Sequence, residues 1–287
     1  MVALSPTRRL VGAVVHRATV LFFIVFAVFP FYWMVVTAFK QNADLYVGAT
    51  DTTHNPFIFN RAPTLDHLRT LFGQTLYLTW LTNTLLVGLV VVLITLALAV
   101  PAGYSLARLT GRWGERLSIG IFLTYLIPST LLFIPFSRLV SLLGLTNSHW
   151  ALILIYPTFT VPFCTWLLIG FFKALPTELE EAALVDGATR PQALVRVLLP
   201  LAAPGIVASA IFAFTLSWNE FLYALIFIQD ETAITVPVGL NLLIYGDVFH
   251  WGQLMAASVI TTVPVVALYM FIHRWMVEGL AAGAVKG

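Results

Sequence analysis

The hydrophobic and polar positions of this 287-residue chain alternate as long apolar runs, free of Asp, Glu, Lys and Arg, and short polar segments. A helix of about 20 apolar residues crosses a bilayer core of ~30 Å and satisfies its own backbone groups in lipid. Six such runs predict an all-α membrane protein with six transmembrane helices. The charged residues that enclose the runs are Arg17 and Lys40, Arg69 and Arg108, Arg116 and Arg138, Arg138 and Lys173, Arg196 and Glu220, and Asp247 and Arg274.

Two of the six predicted spans are interrupted. The fourth has a turn-like sequence near Asn147, and the fifth resumes after Glu220 through residues 221–228. Prolines are also frequent in the spans, and each removes a backbone hydrogen bond and is expected to kink its helix. Two interpretations stay open for them: the ordinary composition of membrane helices, or bent helices around a cavity. These prolines are Pro30, Pro101, Pro128, Pro135, Pro157, Pro162 and Pro264.

Composition supports the membrane assignment, and the distribution of charge orients it. The chain is 60% hydrophobic and 10% charged, with a mean hydropathy of +0.93, whereas soluble domains carry about 25% charged residues. An even number of spans places both ends on one side, and that side carries 11 of the 15 basic residues. The positive-inside rule therefore predicts that both termini lie in the cytoplasm.

The predicted domains follow from this topology. Residues 1–17 are a cytoplasmic N-terminus, residues 18–280 a six-helix transmembrane domain that includes a cytoplasmic segment at 175–200, and residues 281–287 a cytoplasmic tail. The first apolar run is longer than the 7–15 residues typical of a signal peptide, so we interpret it as an uncleaved anchor. The single cysteine, Cys164, excludes an internal disulfide and lies in an apolar span.

A polar excursion over residues 175–200 separates the fourth and fifth spans on the cytoplasmic side. Thr177 and Glu180 have the spacing of a capping box, which predicts a helix start. Gly187 supplies a left-handed exit from that helix. Thr189 and Gln192 form a second capping box, with Pro191 in its first turn, and the second helix should break or bend at Pro200.

This excursion is therefore predicted to be two short capped helices joined by a tight turn. A flexible linker would instead be rich in Gly and Ser and would lack caps. The small side chains of Ala182, Ala183 and Gly187 allow another surface to approach the backbone closely. Two interpretations remain at this level, a docking platform for a partner protein or an amphipathic hairpin that merely connects two spans.

The same segment resembles the EAA loop of ABC importer permeases, whose pattern is E-A-A-x3-G-x9-I-x-L-P. Glu181, Ala182, Ala183 and Gly187 match that pattern, and nine residues later Val197 replaces Ile in the run that ends at Pro200. The resemblance implies a type I ABC importer permease fold and a coupling helix seated in a cleft of an ATPase subunit. The implied ATPase-coupling residues are Glu181, Ala182, Ala183, Asp186, Gly187 and Ala188.

Two further segments resemble the carbohydrate-uptake branch of that family, especially the maltose-type second permease. Residues 279–287 are similar to its C-terminal tail, which implies contact of Gly283, Val285 and Lys286 with the ATPases. Residues 217–221, Ser-Trp-Asn-Glu-Phe, resemble its W-N-[DEQ]-F segment. The resemblance implies five kinds of partner: a second homologous permease, two ABC ATPase subunits, an extracytoplasmic solute-binding protein, a sugar and the lipid bilayer. No nucleic acid is expected.

The chain itself is not expected to be an enzyme. It contains no G-x-x-x-x-G-K-[ST] phosphate loop, no G-x-S-x-G elbow, no H-E-x-x-H and no Cys-x-x-Cys, so no catalytic, cofactor or metal site is predicted. ATP and Mg²⁺ would be used by the partner ATPase in a bacterial or archaeal cell membrane. Two alternatives are an ABC permease for a non-sugar solute, such as an amino acid or a glycerophosphate-type compound, and, more remotely, a secondary transporter.

Polar residues inside spans are functional candidates, because burying them in lipid is costly. Glu220 and Arg138 lie at similar counted depths, which supports either an ion pair between them or two side chains that reach water separately. Sugars bind through hydrogen bonds and aromatic faces. The candidate residues for a substrate path are Asn83, Tyr125, Trp218, Asn219 and Glu220.

Overall fold

The computed structural model describes residues 6–47, 54–245 and 248–284, with side chains described for 12–47, 54–244 and 250–271. These residues are almost entirely helical. They divide into two compact units, the first formed by Met1–Thr75 and Leu243–Thr262, the second by Leu76–Leu242 and Val263–Gly287.

The first unit contains the long N-terminal helix and a polar segment that follows it. Its elements are α1 (Pro6–Phe39), α2 (Asn42–Leu45), α3 (Asp66–Gln74), the paired strands β1 (Ile244–Tyr245) and β2 (Val248–Phe249), and the first part of α15 (Trp251–Ala284). Lys40 Nζ donates to Pro56 O at 2.7 Å, and Asp44 accepts from the Arg61 backbone N–H at 3.0 Å. These bonds connect residues 40–44, just after α1, to residues 56–61 of the same polar segment.

The second unit packs its helices around α4 (Tyr77–Tyr104) and α8 (Pro157–Ala174). Its remaining helices are α5 (Gly111–Tyr125), α6 (Phe133–Leu142), α7 (His149–Ile155), α9 (Glu178–Val185), α10 (Arg190–Ala193), α11 (Leu199–Leu201), α12 (Ala203–Asn219), α13 (Leu222–Phe227), α14 (Val236–Leu242) and the rest of α15. Two π-helical turns, Ser105–Leu109 and Leu194–Leu198, and a 3₁₀ turn, Ser129–Leu132, join some of them. A buried core includes Leu168, Phe172 and Cys164, whose thiol donates to Ser209 O at 3.4 Å.

Four helical segments in the described part of the chain are long and apolar enough to cross a membrane. They are Gly12–Phe39, Tyr77–Leu109, His149–Ala174 and Trp251–Phe271. They correspond to the first, second, fourth and sixth predicted spans. The fourth begins after a turn at Asn147, whose φ of +60° confirms the predicted interruption.

The third and fifth predicted spans are bent rather than straight. Gly111–Tyr125 and Ser129–Leu142 meet at 80°, and Arg190–Leu201 meets Ala203–Asn219 at 79°. Counting each bent pair as one span gives six within the described residues. The second bend falls at Ala202, two residues after the predicted position at Pro200.

The prolines in the spans do not all act as breaks. Pro30, Pro101, Pro162 and Pro264 lie inside helices that continue past them. Pro128 coincides with the 80° bend between the helices on either side of it. Ordinary membrane-helix composition and bent helices around a cavity therefore both stay open for these prolines.

Candidate functional site

The polar excursion between the fourth and fifth spans is a helical hairpin, which we define as residues 178–198. Its first helix, α9, ends at Val185, and the chain turns away from it at Gly187, where φ is +87°. The Gly187 N–H donates to Leu184 O at 3.1 Å and the Ala188 N–H donates to Ala183 O at 3.0 Å. This is the Schellman pattern of helix termination, which satisfies the last carbonyls. The predicted left-handed exit at Gly187 is confirmed.

The two predicted capping boxes have different outcomes. Thr189 has extended backbone angles, and its N–H donates to Gln192 Oε1 at 2.8 Å, so the second box is confirmed. The first box, at Thr177, is wrong, although a helix does begin after this residue. Thr177 has helical angles and makes no cap bond, and the Glu180 carboxylate accepts from Tyr104 Oη at 2.5 Å instead.

The hairpin has one buried face and one exposed face. Ala193 and Leu198 have no exposed surface, and Glu180 is 8% exposed. Four of the predicted coupling residues, Glu181, Ala182, Asp186 and Gly187, are exposed, whereas Ala183 and Ala188 are half-buried. The exposed face is therefore free for a partner.

Val185 adds an apolar residue to that exposed face, which the sequence analysis missed. Its side chain is 86% exposed, although it lies in an otherwise ordered helix. The signal was present in the spacing, because residues i and i+4 share a helix face and Val185 follows Glu181 by four positions. An exposed valine beside a carboxylate and small residues suits a mixed polar and apolar protein surface.

Two predicted substrate-path residues, Tyr125 and Glu220, line one cleft of about 460 Å³. Phe159 adds an aromatic face to it, and Pro128 and the 1% exposed Tyr223 lie at its wall. Glu220 Oε2 accepts from Tyr156 Oη at 2.7 Å, and its Oε1 accepts from the Tyr223 N–H at 2.9 Å. The carboxylate thus also caps the start of α13, because it receives a backbone N–H from the first helical turn.

The hypothesised ion pair between Arg138 and Glu220 is not formed. The ion pairs among the described residues are Arg61–Asp44 and Arg69–Asp66, each at 3.5 Å. Glu220 is instead satisfied by a tyrosine hydroxyl and backbone N–H groups, and the Arg138 side chain is exposed.

The other three path candidates lie elsewhere. The Asn83 amide donates to Thr232 O at 2.9 Å and Ile234 O at 3.0 Å, which fixes the loop before α14. Trp218 is 2% exposed and stacks on Phe214. Asn219 is exposed, and its amide donates to Thr215 O at 2.8 Å.

The predicted tail contacts can be placed only in part. Gly283 lies in the last turns of α15, whereas Val285 and Lys286 lie outside the described residues. Across the described ranges, no group of three or more His, Cys, Asp or Glu side chains is arranged to hold a metal ion.

Residues 99–281, which include the hairpin and the Glu220 cleft, match a family model described as the inner membrane component of binding-protein-dependent transport systems. The diacetylchitobiose uptake system permease DasC of Streptomyces coelicolor is 35% identical over 282 residues, which are 98% of this chain and 99% of the relative. The trehalose/maltose transport permease MalG of Thermococcus litoralis is 34% identical over 92% of this chain and 93% of its own length.

Solved structures agree on the fold. A chain of a bacterial ABC transporter that imports the acidic polysaccharide alginate superposes with a TM-score of 0.79, at 20% identity, over 96% of this chain and 99% of that one. The family model and the relatives each cover most of the chain. The chain is therefore a multi-pass membrane protein that belongs to the family of inner membrane permease components of binding-protein-dependent ABC transport systems.

Proposed function

We propose that this chain forms half of the translocation pore of an ATP-driven, binding-protein-dependent importer of a disaccharide or oligosaccharide. The observation that carries the proposal is the hairpin, which is anchored on one face and exposes Glu181, Val185 and Gly187 on the other. The relatives named for diacetylchitobiose and trehalose/maltose transport support the saccharide class.

The proposal needs partners that supply energy and substrate. ATP and Mg²⁺ would bind to two cytoplasmic ATPase subunits, one of which receives the exposed face of the hairpin. A second homologous permease would complete the pore, and a solute-binding protein would deliver the sugar from outside. A solved alginate transporter in complex with its periplasmic protein supports the last partner. The basic residues on the side of the hairpin support a cytoplasmic location for it and for both termini.

The cleft around Glu220 and Tyr125 is the proposed point at which this subunit touches the sugar. Aromatic rings present flat apolar faces to a pyranose, and a carboxylate accepts hydrogen bonds from hydroxyl groups. Tyr125 and Phe159 supply the rings, and Glu220 supplies the carboxylate. Asn83, Trp218 and Asn219 remain predictions for other positions along the path.

Uptake by the reconstituted complex tests the proposed function. The permease pair, the ATPases and the binding protein would be purified together and placed in vesicles with ATP on the hairpin side. We expect a labelled disaccharide or oligosaccharide to accumulate only when ATP and the binding protein are both present. Tyr125→Ala should reduce uptake by roughly 5–10-fold, as expected when one aromatic contact is lost. Accumulation of an amino acid or glycerophosphate in place of any saccharide would refute the substrate class.

A further inference from the structure

A buried hydrogen bond joins the hairpin to the end of α4, the helix of the second span. Tyr104 is the last residue of α4 and is 5% exposed, and Glu180, 8% exposed, lies in the first turn of α9. The Tyr104 hydroxyl donates to Glu180 Oε1 at 2.5 Å, across 76 residues of sequence. The bond is short, and both of its partners are buried.

A second connection lies one turn further along. The Arg108 Nη2 donates to Phe172 O at 2.8 Å and to Leu175 O at 2.5 Å, and so caps the carbonyl groups at the end of α8. Arg108 belongs to the π-helical turn Ser105–Leu109, and such turns interrupt regular helices and occur often at functional sites. Tyr104 and Arg108, at the end of the second span, therefore bind the chain just before and at the start of the hairpin.

The packing around these bonds leaves the hairpin little room to slide past α4. The Tyr104 ring meets the Phe172 ring edge-on at 6.0 Å. Leu198, which lacks exposed surface, joins the same buried cluster from the second half of the hairpin. Densely packed elements of this kind move as a unit, because packed interiors deform little.

The proposed docking face lies directly beside the joint. Glu181 is exposed and follows Glu180 in sequence, and consecutive helical residues point in different directions. A force applied by a partner at Glu181 and Val185 therefore acts on the same short helix that holds Tyr104 through Glu180.

We propose that the Glu180–Tyr104 bond is the joint that passes movement of the hairpin to the second span, with Glu180 as a positioning residue for the transport cycle. The inference rests on the proposed function, because it requires the hairpin to be docked on an ATPase. A complex that lacks the joint still binds its ATPase and hydrolyses ATP, but a given movement of the hairpin produces a smaller movement of the second span. More ATP is then consumed for each solute transported.

The test compares two conservative variants in the full reconstituted complex. Tyr104→Phe removes one oxygen and keeps the ring against Phe172, and Glu180→Gln removes the charge and keeps the shape. We expect the ratio of ATP hydrolysed to solute transported to rise by at least about fivefold, the lower end of typical coupling between sites. Glu178→Gln, an exposed carboxylate in the same turn, is the matched control and should keep the wild-type ratio.

A second control removes a tyrosine hydroxyl elsewhere. Tyr32→Phe deletes a hydroxyl that donates to Phe57 O at 2.6 Å in the first unit, and its ratio should stay unchanged. The double variant Tyr104→Phe/Glu180→Gln should be no worse than the stronger single variant, because both changes break the same bond.

Three results would overturn the joint. The first is a wild-type ATP-to-solute ratio in Tyr104→Phe, which decides the matter even where Glu180→Gln fails to assemble. The second is a parallel fall of ATP hydrolysis and transport, which indicates that the bond only holds the hairpin in shape. The third is full additivity in the double variant. A wild-type complex without ATP-driven saccharide uptake would instead refute the proposed function, and is recognised before any variant is compared.

Discussion

The turn of the hairpin gives the sharpest quantitative prediction, because Gly187 combines a left-handed backbone with open space around its Cα. Its φ is +87°, and a Cβ added there would meet no atom within 4 Å. The cost of Gly187→Ala is therefore conformational, about 1–2 kcal/mol for an L-residue in left-handed geometry. Asn adopts this geometry more readily than Ala, and a β-branched Val adopts it least.

The expected result is an order of hairpin stability of Gly, then Asn, then Ala, then Val. A loss of about 1–2 kcal/mol makes local opening of the hairpin roughly 5–30-fold more frequent. Hydrogen exchange of the Gly187 and Ala188 amides in the purified permease measures this opening directly, since both N–H groups close the end of α9.

Gly170→Ala is the matched control for this series. Gly170 also has open space at its Cβ position, but it lies in the regular helix α8, where Ala is expected to be neutral or slightly stabilising. The reasoning is refuted if Asn at position 187 opens the hairpin as much as Val does. That order would show that side-chain size, not backbone conformation, selects glycine at this turn.

Three further predictions concern other parts of the chain. Val185→Asp should weaken binding of the ATPase by about tenfold or more in titrations with the purified subunit, with an unchanged melting temperature, because this 86% exposed side chain contributes apolar area only in the complex. Gly239→Ala should lower the melting temperature of the permease, since an added Cβ collides with the Trp80 ring and overpacking costs about 1–3 kcal/mol. Burial lowers the pKa of the Lys40 ammonium, against a smaller opposing effect of Asp44. Above that lowered pKa the unfolded chain therefore binds more protons than the folded one, so the free energy of unfolding should rise with pH towards about 10.4. Thermal unfolding at several pH values measures this slope, and Lys40→Met should reduce it.

Each of these predictions has an outcome that contradicts it. Equal ATPase binding by Val185→Asp would place the docking contact away from this residue. Gly73→Ala, where the added Cβ has open space, is the control for Gly239→Ala, and equal melting temperatures of the two variants would exclude the collision. A pH slope that survives in Lys40→Met must come from another group.

Local sequence rules predicted the hairpin well where the partners of each group are near in sequence. The turn at Gly187 and the Thr189–Gln192 box follow from backbone conformation and bonds across three or four residues. The predicted capping box at Thr177 does not form because the Glu180 carboxylate binds a distant residue instead. Tyr104 lies 76 residues away, and a short buried bond to it replaces the local one.

The spans show the same division between composition and geometry. Apolar length located four spans directly and six when each bent pair is counted as one, but hydropathy does not predict the 80° and 79° bends. The hypothesis that Arg138 and Glu220 share a depth counted residues along a straight helix. The bend at Pro128 lies within the counted stretch and invalidates that count.

Cys164 has a practical consequence that follows from its burial. It is the single cysteine of the chain, it has no exposed surface, and its thiol is hydrogen-bonded to Ser209 O. A membrane-impermeant maleimide should therefore not react with the native protein, and a cysteine introduced on the surface would be the single site that it labels. Cysteines placed singly at Glu181 and Asn60, labelled from one side of sealed vesicles at a time, would report the sidedness of the hairpin without altering the native thiol.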